Sequence, residues 1–449
     1  MASSPSVSVP YINYSNSSKP VLHNYVIKLK DHYTLNDHLI HIGLNISSMN
    51  YNFHSLEILP GYSIKTNQSM IDNLVRKDNG VEWVEETGSV YLYKRSVKSF
   101  GVKKNMTIPR QSKQSKRFEA IVDDDAPFSL AMLSTTGKLA QRSTNAHRFW
   151  HWKNTGLDVD IYILDTGINI NHIEFRGRAY NFRNWAISPY IDGELNEMAD
   201  TDEDSHGTCL ASVAGGAHLG PAKYANIINV KVGTGGSTPI NYLSILRALN
   251  DIRKTHNTKK FSPSARQFFA GSVINMSFGG DANSRAVQLA IWRAKQSGIP
   301  IVVAAGNENR DARDIFPCNM TSTVCVAGVD NYYRRDWDSN YGPKIAVSAP
   351  GHDIECAAGV YEYGVHSGTS IAAAYVSGVL AYFISYERIR SNTDLVIKRM
   401  KDNWNTGLLE GFLVTPETPN TLISNGFQNP DKLDTQPYVG APNRRAIHR

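Results

Sequence analysis

The sequence predicts an α/β fold with a central, mainly parallel β-sheet, preceded by a small α+β module. From about residue 126 onward, short runs rich in Val and Ile alternate with longer stretches at helical spacing. This is the pattern of a parallel sheet covered by helices. At 449 residues the chain also exceeds what one hydrophobic core usually organises, which leaves room for a second folded unit.

The preceding module is predicted from strand-like and helix-like segments. Three segments with an apolar, partly alternating pattern are predicted strands: residues 25–30, 81–85 and 90–93. Between the first two, Ile71, Leu74 and Val75 recur at helical spacing before Asp78-Asn79-Gly80 interrupts the run. A compact module of about 70 residues is therefore expected.

The larger unit supplies the sheet. Five buried strands are predicted, at residues 159–164, 227–232, 273–276, 301–304 and 324–329. Helices are predicted at Gly207 to Gly216 and at Ile371 to Phe383, where small residues predominate.

Composition divides the chain into five parts. They are a polar N-terminal segment (1–21), the small module (22–93), a basic linker (94–125), the large unit (126–427) and a polar tail expected to be disordered (428–449). Lys and Arg recur from Lys94 to Arg117 without an acidic residue. Nucleic-acid binding is one interpretation of that run, but a solvated, cleavable linker is preferred.

The whole chain has 20% charged residues and a net charge of +6, and no apolar run approaches the ~20 residues of a membrane span. A soluble protein is expected, with neither a membrane nor a nucleic acid as partner. Met1 to Ser18 lacks the apolar core of a signal peptide, so either a leader is missing or the protein stays inside the cell. Six Asn-X-Ser/Thr sites nevertheless fit a glycoprotein of the secretory pathway, vacuolar or extracellular: Asn13, Asn16, Asn45, Asn67, Asn105 and Asn319.

Four cysteines are too few for a disulfide scaffold. Cys318 and Cys325 are close enough in sequence to close a small loop, and two unpaired thiols fit the sequence equally well.

Three segments far apart in the chain each carry one member of a catalytic triad. They are Ile163 to Gly167 with Asp165, His206 to Thr208, and Gly368 to Ser370. A serine hydroxyl needs an adjacent imidazole as base, and the imidazole needs a carboxylate to hold its tautomer. One such segment arises easily by chance, whereas all three in the order Asp, His, Ser strongly indicate a serine hydrolase.

The predicted elements place these residues suitably. Asp165 ends a buried strand, at the sheet edge where active sites of open parallel sheets collect. Ser370 opens a helix, whose dipole favours negative charge near its start. Asn307 ends another buried strand and is a candidate oxyanion donor, although an Asn in a turn is the alternative interpretation.

With these motifs the chain resembles the subtilases, in particular the fungal proteinase K and cerevisin-like proteases. The resemblance covers roughly residues 22–427 and includes further matching segments: residues 165–168, 172–175, 230–232, 275–280, 304–307, 349–351 and 418–423. It implies a subtilisin-like three-layer fold with a central mainly parallel sheet. The small module resembles the inhibitory propeptide of this family.

The resemblance implies a monomeric endopeptidase made as a zymogen, with its own propeptide as inhibitor and proteins or peptides as substrates. Self-cleavage would fall between about Tyr93 and Asp125. Two segments would bind the substrate: Ser277, Phe278 and Gly279 as a pairing strand, and Ala304, Ala305 and Gly306 at the specificity pocket. Because that pocket carries no cluster of acids, apolar or broad specificity is expected.

Departures from the family pattern motivate a rival hypothesis. Cys209 follows His-Gly-Thr where a His is usual, and Ala374 and Tyr375 replace a Pro-His pair after the nucleophile. A catalytically weak or inactive binding protein that keeps its propeptide is therefore the alternative. Labelling of Ser370 by a fluorophosphonate discriminates between the two.

No cofactor is predicted. Four acidic residues just ahead of His206 make a structural calcium site conceivable, but an exposed acidic loop is the preferred interpretation: Asp200, Asp202, Glu203 and Asp204. Sequence alone assigns no partner to four other histidines: His218, His256, His352 and His366.

Overall fold

The computed structural model describes residues 9–13, 23–45, 53–93, 98–100, 119–140, 146–186, 201–410 and 417–427. The predictions for the 428–449 tail, for Asp200 and for most of the basic linker lie outside the described residues.

The front module, residues 9–93, is a five-stranded sheet with two short helices. Its elements are β1 (Tyr11–Ile12), β2 (Asn24–Leu29), α1 (Leu35–His41), β3 (Phe53–Leu56), β4 (Gly61–Lys65), α2 (Gln68–Asn73), β5 (Val81–Glu86) and β6 (Ser89–Leu92). The strand order is β1-β5-β2-β4-β3, and β6 leaves this sheet. Tyr25, Ile27, Tyr62 and Ile71 are buried in the module's own core.

Two details of the front module differ from the prediction. β1 comes from the segment expected to be a polar extension, and it pairs in parallel with β5. The helix predicted from Ile71, Leu74 and Val75 ends at Asn73, followed by a 3₁₀ turn at Val75–Lys77. Leu74 is 41% exposed and does not share the buried face.

The strands of the large body begin within the range predicted as linker. They are β7 (Lys98–Phe100), β8 (Ala120–Asp123), β9 (Phe149–Trp152), β10 (Val159–Asp165), β11 (Ala179–Asn184), β12 (Asn226–Lys231), β13 (Ile240–Asn241), β14 (Gly271–Met276), β15 (Phe278–Gly279), β16 (Ile301–Ala304), β17 (Val324–Val329), β18 (Val347–Pro350), β19 (Ile354–Ala358), β20 (Glu362–His366), β21 (Asn405–Thr406) and β22 (Thr421–Leu422).

The helices of the body are α3 (Phe128–Ala131), α4 (His206–Gly215), α5 (Tyr242–Phe261), α6 (Arg285–Gln296), α7 (Thr369–Glu387) and α8 (Thr393–Asn403). Short 3₁₀ turns lie at Met132–Ser134, Arg266–Phe268 and Ala312–Asp314.

Nine strands form the central sheet, in the order β11-β12-β10-β14-β16-β17-β18-β22-β21. All neighbouring pairs are parallel except β21–β22. The five predicted strands are present as β10, β12, β14, β16 and β17, with ends shifted by at most two residues. Their Val and Ile side chains are buried because helices cover both faces of such a sheet.

Helices α4 and α7 pack closely against each other. A Cβ at Gly378 of α7 would lie 2.2 Å from the Ala214 carbonyl oxygen of α4, so only glycine allows this separation. α7 is longer than predicted and, by length and composition, could cross a membrane. Almost all of it is buried in the protein, and that burial accounts for its apolar sequence.

The last residues of the range predicted as linker pack against the body. β8 pairs antiparallel with β9, and Asp123 forms an ion pair with Lys223 at 2.9 Å. Although burial opposes it, the charge of Lys223 lowers the pKa of Asp123 well below its usual value. Residues 120–123 thus form a strand of the body, and a four-residue strand just after the basic run carries too little pattern to be recognised.

All four cysteines are paired. Cys318–Cys325 closes the short loop considered from the sequence. Cys209–Cys356, 147 residues apart, ties α4 to β19. Spacing offers no indication of this second bridge, because only the tertiary fold brings the two cysteines together.

Candidate active site

Asp165 and His206 form a buried pair. The Asp165 Oδ1 atom lies 2.7 Å from His206 Nδ1, and both side chains are inaccessible to solvent. The carboxylate can only accept, so His206 Nδ1 donates and Nε2 is left as the acceptor in the neutral ring. Oδ1 also accepts from the Thr166 backbone N–H at 2.8 Å, which holds the carboxylate at the end of β10.

A glycine allows this pair to approach. His206 begins α4, and a Cβ on the next residue, Gly207, would lie 2.1 Å from the Gly167 carbonyl oxygen. Any other residue there would push α4 away from the end of β10 and lengthen the contact between the imidazole and the carboxylate.

The pKa of His206 is raised above its ordinary value of 6.5. Burial acts to lower this pKa, but the charge of the Asp165 carboxylate and its hydrogen bond to the ring raise it more. The protonated imidazole is therefore stabilised where it stands, as a general base requires once it has taken up a proton.

Asp202 supports the same corner of the site, and the expectation of an exposed acidic loop is wrong for this residue. Its carboxylate is buried and accepts from the Thr208 N–H at 2.7 Å, the Thr208 hydroxyl at 2.6 Å and the Thr166 hydroxyl at 2.7 Å. Burial raises the pKa of Asp202 in spite of these bonds. A run of acidic residues gives no sign of which one turns inward.

Asn307 is held in one orientation next to Ser370. Its Oδ1 accepts from both the backbone N–H and the hydroxyl of Thr369, each at 3.0 Å. The amide Nδ2 therefore points the other way and donates to the Tyr93 carbonyl oxygen at 3.2 Å. Gly368 lies close, at φ 139°, and a Cβ there would be 3.0 Å from the Asn307 Nδ2 atom.

The hydroxyl of Ser370 points at the same carbonyl. Ser370 Oγ donates to Tyr93 O at 3.0 Å, and the Ser277 carbonyl oxygen lies 3.4 Å away. His206 Nε2 has no hydrogen-bond partner among the described residues. The structure thus joins Asp165 to His206 and joins Ser370 and Asn307 to Tyr93, but it has no hydrogen bond between Ser370 and His206.

A histidine to which the sequence assigned no role packs against His206. The ring of His366, at the end of β20, packs edge-on against His206 with 5.4 Å between centroids. Its Nδ1 donates to the Ser367 carbonyl oxygen at 3.0 Å. No motif indicates this contact.

Strand β6 of the front module lies in the cleft of the body. It pairs antiparallel with β13 on one side, Val90 opposite Ile240, and with β15 on the other, Leu92 opposite Phe278. The Tyr93 N–H extends the ladder to Ser277 O at 3.4 Å. Ser277, Phe278 and Gly279, the predicted pairing segment, thus pair here with the chain's own strand.

The side chain of Tyr93 is buried beyond the ladder. A Cβ on Gly279 would lie 2.2 Å from the Tyr93 hydroxyl, so the ring covers this glycine. Its hydroxyl has no hydrogen-bond partner among the described residues, and burial, followed by the charge of Glu308, raises its pKa well above the ordinary value.

The predicted pocket residues 304–306 form part of a hydrogen-bonded wall. Ala304 and Ala305 are fully buried, Ala305 O accepts from Asn340 Nδ2 at 2.9 Å, and Gly306 N donates to the Thr369 hydroxyl at 3.1 Å. Their contact with a substrate stays a prediction.

The front module also contacts the body outside the cleft. Glu85 caps the start of α6, accepting from the Ser284 hydroxyl at 2.5 Å and the Ala286 N–H at 2.9 Å. Asn250 Oδ1 accepts from the backbone N–H groups of Glu57 and Ile58 at 2.7 and 2.8 Å. A carboxylate at a helix N-terminus is favourable because the dipole and the free amides attract it.

Within the described residues, no group of three or more His, Cys, Asp or Glu side chains could hold a metal ion.

A nine-stranded, mainly parallel sheet with a paired Asp and His and a serine at a helix start is the framework of a subtilisin-type hydrolase. Residues 156–404 match the model of the Subtilase family. The subtilisin-like serine protease Pen ch 18 of Penicillium rubens is 30% identical over 389 residues, covering 84% of this chain and 70% of the relative. The chain belongs to the subtilase family and is a subtilisin-like serine endopeptidase acting on proteins or peptides.

Solved structures agree with this fold. A cold-adapted subtilisin-like serine proteinase matches with a TM-score of 0.56 and 27% identity, covering 67% of this chain and 98% of its own. Fervidolysin from Fervidobacterium pennivorans, a keratinolytic enzyme, matches with a TM-score of 0.65 and 18% identity, covering 97% of this chain and 64% of its own. The second match concerns the fold alone.

Proposed function

We propose that this chain is the zymogen of an endopeptidase that uses Asp165, His206 and Ser370 as its triad and cuts its own Tyr93–Lys94 bond. One observation carries the proposal. The Tyr93 carbonyl oxygen lies 3.0 Å from Ser370 Oγ and 3.2 Å from Asn307 Nδ2, so a nucleophile and an oxyanion donor meet at one peptide bond.

The reaction follows from these positions. Ser370 turns its hydroxyl proton to His206 Nε2 and attacks the Tyr93 carbonyl carbon, while Asp165 stabilises the imidazolium that forms. Asn307 Nδ2, together with backbone amides, binds the oxyanion. His206 then gives its proton to the Lys94 nitrogen, the amine leaves, and water releases Tyr93 from the acyl-enzyme by the same steps in reverse.

The front module acts in this proposal as the propeptide inhibitor. Its strand β6 fills the unprimed side of the cleft as a substrate would, and Glu85 and the Asn250 bonds hold the module in place. After the cut, Tyr93 would remain as the C-terminus of a bound product. Release of the module then gives the free protease.

The surroundings of the Tyr93 side chain support the proposal that the enzyme prefers an apolar or aromatic residue just before the scissile bond. The ring is buried against Gly279, which leaves space for a flat side chain. Burial, and next to it the charge of Glu308, raises the pKa of Tyr93, and only Arg310 acts against them, so an acidic side chain at this position would be disfavoured.

A monomer on the secretory route, vacuolar or extracellular, is also proposed. Both disulfides favour an oxidising compartment.

Labelling with a fluorophosphonate tests the triad. The processed protein should be labelled at Ser370, and Ser370→Ala should abolish labelling and self-cleavage. Ser367→Ala, three residues earlier and just before α7, is the matched control and should label normally. Absence of labelling in a processed, folded wild-type protein would favour the inactive-protein hypothesis.

A further inference from the structure

We propose that the outer edge of β20, at Tyr363 to Val365, binds the part of a polypeptide substrate that lies five to seven residues beyond the scissile bond. Residues 98–100 of this chain occupy that edge, which we call the distal edge. The inference rests on the proposed function, because it takes Tyr93–Lys94 as the bond that is cut.

Strand β7 pairs with the outer side of β20. Lys98 lies opposite Val365, Ser99 opposite Gly364 and Phe100 opposite Tyr363, in antiparallel register. The other side of β20 is paired with β19, so β7 is the outer strand of a three-stranded sheet. Without β7, the distal edge would present unpaired backbone groups.

Beyond the Tyr93 carbonyl, β7 runs along β20 in the direction away from Ser370. β20 ends at His366, on the short segment that leads to Ser370, and the Tyr93 carbonyl lies at Ser370 Oγ. Only residues 94–97 separate that carbonyl from β7, a stretch that can span at most about 14 Å. The register then carries the chain along β20 away from Ser370. The cleft thus holds the chain as a strand on both sides of the bond, with β6 before it and β7 after it.

The chemistry of the distal edge is that of strand addition. Backbone N–H and C=O groups recognise an extended chain of almost any sequence but reject proline or an N-methylated amide at each position that must donate. Substrates that continue past the scissile bond should therefore bind more tightly than short peptides.

Cleavage does not free this edge. The cut leaves Tyr93 on the front module, whereas residues 98–100 stay joined to the body through β8, which pairs with β9. A strand tethered in this way acts at a high effective concentration, of the order of millimolar for a short linker. The distal edge thus stays blocked in the singly cut enzyme until residues 98–100 are removed or displaced.

The test uses the full chain with a site for an added site-specific protease placed within residues 105–111. Two peptides share their sequence up to the third residue after the scissile bond, where one ends and the other continues for five more. Before the added cut, the peptides should have equal KM values. After it, the longer peptide should bind about tenfold more tightly, as expected for two backbone hydrogen bonds.

N-methyl scanning of the longer peptide separates strand pairing from mere length. In an antiparallel ladder, alternate residues donate to the same neighbour. Only one of two alternate sets of peptide amides should donate to β20: either positions five and seven, or position six. N-methylation of that set should abolish the tighter binding of the longer peptide, and N-methylation of the other set should leave it unchanged. In the chain itself, Ser99→Pro or the pair Lys98→Pro and Phe100→Pro should free the edge without the added cut, with Ser99→Ala as control.

The outcomes separate the two proposals. If neither peptide is cleaved and the Tyr93–Lys94 bond stays intact, the proposed function fails. The distal edge is not a binding site if both peptides are cleaved but the longer one has no lower KM than the shorter one after the added cut. The same conclusion follows if the longer peptide has an equally lower KM before that cut.

Discussion

Asn307 illustrates how neighbouring residues fix the orientation of one side chain. Two donors from Thr369 hold its Oδ1, so the amide nitrogen faces the Tyr93 carbonyl oxygen. The sequence indicated Asn307 as a candidate because it follows a predicted buried strand, at the same edge of the sheet as Asp165. The donors that orient it lie 62 residues further along the chain and could not be inferred.

Asn307→Ala should lower kcat by about 10²- to 10³-fold with little change in KM, since the amide acts on the oxyanion rather than on the bound substrate. This magnitude was measured for the corresponding kind of donor in a subtilisin. Steady-state kinetics of the processed protein checks it. Asn283→Ala, on the surface, should leave kcat unchanged, and a tenfold KM increase at constant kcat would contradict the assigned role.

The pH dependence should report the His206 pKa. Only the neutral imidazole accepts the Ser370 proton, so kcat/KM should fall as the pH drops through that pKa, which the Asp165 charge raises above 6.5. Asp165→Asn should move this acid limb to lower pH, because the largest charge that opposes the effect of burial is then removed, and should cost about 10⁴-fold in kcat. His352→Gln is the control and should leave the acid side of the pH profile of kcat/KM unchanged. An unchanged profile in Asp165→Asn would contradict the assignment of Asp165 as the partner of His206.

At the scale of elements, α7 shows why departures from the family sequence are tolerated. Tyr375, where a His is usual, is buried, and its hydroxyl lies 2.8 Å from the Ser129 hydroxyl on α3. The ring therefore ties the body's first helix to its central one. The sequence indicated altered hydrogen bonding but not the partner, because α3 lies 246 residues earlier.

Tyr375→Phe should destabilise the protein by about 1 kcal/mol, since it leaves the buried Ser129 hydroxyl without that bond. Ser129→Ala combined with Tyr375→Phe should cost less than the sum of the single changes. Urea denaturation of all four proteins on a Ser370→Ala background gives the coupling energy. Strict additivity of the two substitutions would show that the bond contributes nothing.

Sequence periodicity predicted five of the nine strands of the large sheet and missed β11, β18, β21 and β22. Buried runs such as β10 and β17 are long enough for a pattern to be visible. β7 and β8 have three and four residues, lie in or beside a basic stretch, and depend on pairing with distant strands. Their positions follow from the tertiary fold rather than from local preference.

At the scale of the whole molecule, the front module contacts the body at several points, as the proposed inhibitor role requires. Glu85 is the charged contact at the start of α6, outside the cleft that holds β6. The family resemblance indicated an inhibitor module, but its contacts with the body could not be predicted from the sequence. Nothing in the local sequence shows that a glutamate in a strand will cap a distant helix.

Glu85→Ala should weaken the binding of the cleaved module by about ten- to a hundredfold, because two hydrogen bonds to a charged acceptor are lost. Activity of the self-processed full chain, followed on dilution, measures the dissociation. Asp72→Ala, which removes an ion pair within the module to Arg76, is the control and should not shift the dilution curve. Equal curves for wild type and Glu85→Ala would rule out the anchor.

The identity of the first bond broken tests the central claim most directly. Mass spectrometry of freshly folded wild-type chain should show a new C-terminus at Tyr93 and a new N-terminus at Lys94, and Ser370→Ala should remain intact. A first cut at another bond, or the same cut in Ser370→Ala, would contradict the account.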